Sequence, residues 1–147
     1  MILLDANVLV YAVNADAPQH GASRAVVEAS MDGRVPGVLV PQVLLEFFAI
    51  VTNPKRVTKP LDSFRAWQQV TALRSSMPLL HPGQQVLTEL DRLVNARRPT
   101  GGRIFDTNLV AQMYAHGVTR ICTYNVPDFA AFTAVAALTP EAALAKP

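Results

Sequence analysis

The stretch Ile2-Leu3-Leu4-Asp5-Ala6-Asn7-Val8-Leu9-Val10 decides how the chain is read. An apolar run, an acid and a second apolar run describe a buried strand that ends near Asp5 and turns into a helix. The pattern recurs further on. Val35 to Val40 is rich in valine and predicts a second strand. Pro41 suits the first turn of a helix that runs from Gln42 to Thr52 and stops before Asn53-Pro54. Near the other end, Ile104 to His116 predicts a helix, Gly117 a left-handed cap and Val118 to Thr123 a strand. Between these lie a helix over Pro18 to Met31, ended by Gly33, and a second one capped by Asp62 or Ser63. In that second helix Phe64, Trp67, Val70, Leu73 and Met77 recur at helical spacing. Pro78 to His81 is extended, and Val86, Leu87, Leu90, Leu93 and Val94 form the stripe of another helix. Tyr124 to Asp128 reads as a turn, and the alanine-rich tail from Phe132 has no clear pattern. Strands that alternate with helices favour an α/β fold around a mostly parallel sheet.

Composition bounds the function. A chain of 147 residues predicts one domain spanning 1–147, and 50% hydrophobic with 16% charged residues excludes a disordered chain. The single cysteine, Cys122, excludes an intrachain disulfide, fits a reducing compartment and reads as a small core residue. No apolar run is long enough to span a membrane, and Met1-Ile2-Leu3-Leu4-Asp5 lacks the basic start of a signal peptide, so the expected location is the cytoplasm.

In open α/β sheets, ligands sit outside the carboxyl ends of the strands. Asp5 closes the first strand, Asn125 follows the strand that ends at Thr123, and Asp128 comes three residues later. Asp106 lies in the first turn of its helix, and Glu46 interrupts the apolar run Val43 to Val51. Taken singly, Asp106 also fits the helix dipole, Asp128 and Asn125 also fit a turn, and Glu46 also fits a salt bridge or an exposed helix edge. Asp5 is the hardest to explain by structure alone. Carboxylates forced together disfavour one another's charge, and a hard divalent cation removes that penalty. The scattered His20, His81 and His116 and the lone cysteine argue against zinc.

Four segments resemble those of the PIN-domain nucleases: Leu3-Leu4-Asp5-Ala6-Asn7-Val8-Leu9, Pro41-Gln42-Val43-Leu44-Leu45-Glu46-Phe47, Ile104-Phe105-Asp106-Thr107-Asn108-Leu109-Val110-Ala111, and Cys122-Thr123-Tyr124-Asn125-Val126-Pro127-Asp128-Phe129. Their order and spacing match over nearly the whole chain, and its size is similar to that of stand-alone VapC-type toxins of bacterial toxin–antitoxin pairs. The resemblance implies a three-layer α/β/α sandwich and a ribonuclease dependent on Mg²⁺ or Mn²⁺. It carries the first three acids over to Asp5, Glu46 and Asp106. The fourth acidic position falls on Asn125, an amide that brings no charge, and Asp128 supplies the missing carboxylate. It further implies an RNA substrate (tRNA, rRNA or mRNA), a homodimer and a cognate antitoxin that covers the acidic groove.

On this reading Asp5 and Asp106 hold Mg²⁺, while Glu46 ligates it through water or orients the attacking water. Asn125 and Asp128 position a second ion or the scissile phosphate, and the products carry a 3′-hydroxyl and a 5′-phosphate. Setting aside Asp5, Glu46, Asp106 and Asp128 leaves 13 basic and 7 acidic groups, a balance of +6. Lys55, Arg56 and Lys59 share one loop; Arg97, Arg98 and Arg103 share another that leads into the Asp106 helix, and the latter is expected to contact RNA or support the site. Two rivals stand beside this reading. One is a catalytically inactive RNA-binding or scaffold protein of the same fold. The other is a haloacid-dehalogenase-like phosphatase, which Asn7 disfavours by standing where a second Asp is needed.

Overall fold

The computed structural model describes residues 1–145, so the last two residues of the expected 1–147 unit lie outside the described residues. The chain runs β1 (Ile2–Leu4), α1 (Ala6–Val13), α2 (His20–Met31), β2 (Gly37–Val38), α3 (Pro41–Val51), α4 (Ser63–Ser76), α5 (Gln84–Arg97), α6 (Arg103–Ala115), β3 (Arg120–Cys122), α7 (Val126–Phe129), β4 (Ala136–Leu138) and α8 (Pro140–Ala145). The four strands form one sheet in the order β2-β1-β3-β4, and every pairing is parallel. Parallel neighbours require crossovers, which the helices supply, and the result is an α/β sandwich.

β1 sits inside the sheet because all three of its residues are apolar, and all are buried. Its register aligns Ile2 with Gly37 on one side, and Ile2, Leu3 and Leu4 with Arg120, Ile121 and Cys122 on the other. α1, α2 and α3 pack together, with α8 against α2 and α4 against α3, while α5 and α6 form a close pair. Phe47 of α3 and Phe129 of α7 are the largest fully buried side chains. Among the described residues, no helix is long and apolar enough to cross a membrane.

Several expectations are corrected. The strand predicted over Val35 to Val40 pairs with β1 only through Gly37 and Val38, because Leu39 instead bridges to Leu79, its N–H donating to the Pro78 carbonyl at 2.9 Å and its carbonyl accepting from the Leu80 N–H at 2.8 Å. The turn predicted over Tyr124 to Asp128 contains the short helix α7. The tail holds β4, so the strand before Asn125 is not the last. On α4 the buried line is Ala66, Val70 and Leu73, leading to Met77, whereas Phe64 is 72% and Trp67 50% exposed. Trp67 touches Phe48 edge to face at 6.0 Å. Leu87 is likewise outside the core stripe of α5. Cys122 is buried as expected, and that burial pushes its thiol up to about 12.

Two glycines have geometric reasons. Gly117 adopts φ +65 after α6, and the Val118 N–H then donates to Met113 at 2.8 Å, which turns the chain toward β3. Gly37 lets β2 approach α2: a Cβ there would lie 2.4 Å from Ser30 Oγ and 2.5 Å from Ser30 Cβ. Ser30 cannot swing away cheaply, since its Cβ is fixed by the helix backbone and its hydroxyl donates to Val26 at 2.8 Å. We expect Gly37→Ala to destabilise the fold by about 1–3 kcal/mol, by forcing β2 and α2 apart. Equilibrium urea unfolding measures it, and an unchanged midpoint would contradict the close approach.

Candidate active site

Asp5 stands where β1 gives way to α1 and caps that helix, its Oδ1 accepting from the Ala6 N–H at 2.7 Å. It is only 7% exposed. Its Oδ2 accepts from the Thr123 hydroxyl at 2.6 Å and from Asn7 Nδ2 at 2.9 Å. Thr123, at the end of β3, is itself buried and accepts from the Asn125 N–H at 2.9 Å. Asn7 Oδ1 accepts from the Tyr124 N–H at 3.2 Å. The carboxylate is therefore clamped between the ends of two adjacent parallel strands.

Glu46 lies half-buried on α3. Its Oε1 accepts from Gln42 Nε2 at 2.6 Å, one turn earlier. Gln42 Nε2 also donates to the Phe105 carbonyl at 3.0 Å, and Gln42 Oε1 accepts from Asn108 at 2.6 Å and Gln112 at 3.3 Å. This amide hub ties α3 to α6, the helix that carries Asp106 in its first turn. Asp128 occupies the first turn of α7 and is exposed.

The four carboxylates feel one another. Burial, opposed by the bonds from Thr123, Ala6 and Asn7, raises the Asp5 carboxyl above its ordinary range, and the Asp128 charge adds to this. Glu46 is raised by burial and then by the charges of Asp5 and Asp106, against the Gln42 bond. Asp106 is raised by burial and by Asp128 and Asp5. Five ion pairs occur among the described residues, and none uses these four acids. No group of three Asp, Glu, His or Cys side chains among the described residues is drawn together tightly enough to cage a metal ion directly. The donors are nevertheless all hard oxygens with uncompensated mutual repulsion. That suits Mg²⁺, which keeps several waters and takes only one or two carboxylates directly.

The sequence-predicted residues divide. Asp5, Glu46, Asp106 and Asp128 share one electrostatic field. Asn125 precedes α7 and is exposed; its side chain makes no capping bond, and its backbone N–H goes to Thr123. Arg97 and Arg103 line a pocket together with Asp106 and Asp128, whereas Arg98 does not. In the other basic loop, Lys59 pairs with Asp16 at 3.1 Å, away from the acids. Sequence reasoning did not single out Thr123 or Gln42, and it weighed Asn7 only against a phosphatase. All three stand inside the quoted motifs, but a hydroxyl or amide at a strand end or helix start looks like an ordinary capping residue.

A pH dependence follows from the raised carboxyls. The folded chain holds protons that the unfolded chain releases near its ordinary values of about 4. Folded-state stability in a chelator therefore falls as pH rises from there through the raised values, and recovers as pH falls. Removing one of these charges weakens the effect. We expect Asp106→Asn to gain melting temperature relative to the original chain at about pH 8 in EDTA, and the gain to shrink toward about pH 5. Paired melts at the two pH values check the sign, and a gain that grows on acidification would contradict it.

The PIN-domain family model matches residues 2–132. Ribonuclease VapC24 of Mycobacterium tuberculosis is 32% identical over 134 residues, covering 90% of this chain and 91% of that protein. Ribonuclease VapC43 of the same species is 32% identical over 121 residues, covering 81% and 82%. Among solved structures, VapBC-1 from nontypeable Haemophilus influenzae superposes with a TM-score of 0.68 at 15% identity, covering 96% of this chain and 99% of that one. A toxin–antitoxin complex from Klebsiella pneumoniae gives 0.61 at 16% identity, covering 95% and 98%. The last two comparisons establish the fold. The family match and the curated relatives place the chain in the PIN-domain family, among the VapC ribonucleases.

Proposed function

We propose that the chain is a divalent-metal-dependent endoribonuclease, using Mg²⁺ or Mn²⁺, and the toxin of a toxin–antitoxin pair working in the cytoplasm. One observation carries the reading. Four acids from distant parts of the sequence converge beside the carboxyl ends of β1 and β3, and no ion pair among the described residues neutralises them.

A divalent cation held there supplies charge neutralisation of the acids and of the phosphodiester, and makes water acidic enough to act as a nucleophile. Asp5 and Asp106 would hold it, and Asp128 completes the acidic set where Asn125 brings no charge. The Ala6 N–H, Thr123 and Asn7 fix the Asp5 carboxylate, so it needs no reorganisation when the ligand arrives. Gln42 fixes Oε1 of Glu46 and leaves the other oxygen to orient the attacking water and accept its proton. In-line attack of the water on phosphorus forms the new P–O bond and breaks the P–O3′ bond; the departing 3′-oxygen takes a proton from solvent, which leaves a 3′-hydroxyl and a 5′-phosphate. The same groove explains inhibition by a partner protein: an antitoxin arginine entering it pairs with carboxylates that otherwise hold the cation. The relatives named ribonucleases and the neighbour solved as a toxin–antitoxin complex support both halves of the reading.

The test uses total cellular RNA, antitoxin-free protein and Mg²⁺ or Mn²⁺, with the new 5′ ends sequenced. Discrete new 5′-phosphate ends, absent with EDTA and absent with Asp106→Asn protein, are the expected result. Folded protein that yields no such ends in either metal would sink the proposal and favour an RNA-binding protein without catalysis.

A further inference from the structure

We propose that the pocket between the end of α5 and the start of α6 is a phosphate subsite, which grips the RNA strand one phosphodiester away from the bond that is cut. The inference rests on the ribonuclease reading for the identity of the ligand. The pocket is lined by Arg97, Arg103, Asp106, Asp128 and Phe132, among others, so two cations stand directly beside two of the site acids.

The arginines behave unlike others in the chain. Arg24, Arg65 and Arg92 each pair with an acid three or four residues away on their own helix, or just before it. Arg103 has Asp106 at the same spacing and makes no ion pair with it. Its charge is only the weakest of the influences on the Asp106 carboxyl. Arg97 is held in another way. Its guanidinium lies 4.3 Å from the centre of the Phe132 ring, and Nη2 donates to the Ala131 carbonyl. Phe132 is 6% exposed, so the guanidinium is layered over a fixed apolar surface. An arginine oriented in this way keeps further N–H donors for a ligand and loses little freedom on binding.

The geometry divides the labour within one cleft. Carboxylates on one side suit a cation, and guanidinium groups on the other suit the anionic oxygens of a neighbouring phosphate. Arg98 is the contrast within the same segment. It ends α5 with φ 49, the one positive φ at a non-glycine residue among those described, and it does not line the pocket. The three cations that the sequence groups in one basic loop are thus the last residue of α5, its C-cap and the first residue of α6, and they separate into two that bind and one that turns the chain.

The test is fluorescence polarisation of an end-labelled single-stranded 12-mer RNA of mixed sequence, in EDTA so that nothing is cut, at rising KCl. Arg97→Gln and Arg103→Gln are each expected to weaken binding about 5- to 20-fold and to flatten the log–log salt dependence by about 0.7 per lost contact. Arg98→Gln is expected to stay within about twofold of the unsubstituted chain. Arg97→Lys keeps the charge but not the planar fork, and is expected to restore the salt slope without the full affinity. Arg103 is exposed at a helix start, so its variant folds, and melting curves verify the Arg97 variants. Equal losses from all three glutamine variants, or none from Arg97 and Arg103, would overturn the subsite. An unsubstituted chain that does not bind the RNA would overturn the subsite, and cleavage by that same chain in Mg²⁺ or Mn²⁺ would keep the ribonuclease reading. The expected binding pattern without cleavage in Mg²⁺ or Mn²⁺ would keep the subsite and remove the ribonuclease reading alone.

Discussion

Replacing Asp106 with asparagine gives a chain that folds like the original and cuts RNA about a thousandfold more slowly. The side chain keeps its shape and loses its charge, and the site depends on the charge. Asp106 lies close enough to Asp5, Glu46 and Asp128 for their charges to register on one another, and none is offset by an ion pair among the described residues. An amide in that place neither attracts a divalent cation nor completes the charge that retains it. Stability moves little because two effects oppose. Losing an acid from the first turn of α6 costs about 0.3–1 kcal/mol of dipole interaction. Losing a half-buried carboxylate that burial and its neighbours hold above its normal range acts in the opposite direction and outweighs it at about pH 8 without metal. The net change in melting temperature is therefore within about 4 °C. Cleavage rates and melting curves on the same preparation decide the matter. Activity within tenfold of the original would remove Asp106 from the chemistry, and a collapse in melting temperature would show that it holds the fold instead.

Phe47→Ala is expected to destabilise the chain by about 3–5 kcal/mol, the largest stability loss among the single changes considered. Phe47 is fully buried on α3, the helix that packs against α1 and α4. Truncation removes the apolar area and leaves a cavity that the surrounding helices cannot fill, since Val43, Leu44 and Val51 on the same helix are already packed. For a chain of this size the loss corresponds to roughly 10 °C or more in melting temperature. Phe47→Leu retains most of the volume and should cost about 1.5 kcal/mol or less. Denaturant unfolding of the two variants measures the difference. A loss below about 1 kcal/mol for alanine would mean that α3 is not anchored through this ring. The position has a functional corollary, because Glu46 is its neighbour and Gln42 lies one turn before Glu46. Loosening α3 lowers cleavage even at temperatures where the alanine variant stays folded.

Elements whose fate is set by their own residues were legible in the sequence. Ile2–Leu4 could only be a buried strand, and Pro41 and Gly117 mark a helix start and a helix end by backbone geometry alone. β4 was not legible, because Ala136-Ala137-Leu138 has little preference for a strand and becomes one only by pairing with Arg120–Cys122. β2 was overread because valine content reports a tendency to extend, while the end of its pairing with β1 is set by Leu39 turning to Leu79 instead. Phe64 and Trp67 fit a helical stripe as well as Ala66 and Leu73 do. Which line of α4 turns inward depends on α3, which the periodicity of α4 does not contain. Asp5 and Glu46 stood out in the sequence because carboxylates inside apolar runs are conspicuous, whereas Asp106 and Asp128 stood out only through the order of the four segments. The holders of the acids, Thr123, Asn7 and Gln42, did not, because their roles depend on partners as far as 118 residues away.

That separation also governs when activity first exists during synthesis. β1 lies between β2 and β3, so the first strand made cannot complete its pairing until Arg120–Cys122 has been translated. Until then the ribosome carries a chain with Asp5 but without its Thr123 clamp, its β3 neighbour or Asp128. Pairings this distant in sequence form late and slowly. On the proposed chemistry, a growing chain cannot cleave the message it is being read from, and neither can a fragment released early by a stalled ribosome. The long separation works as a timer that keeps the enzyme silent until its last fifth is made.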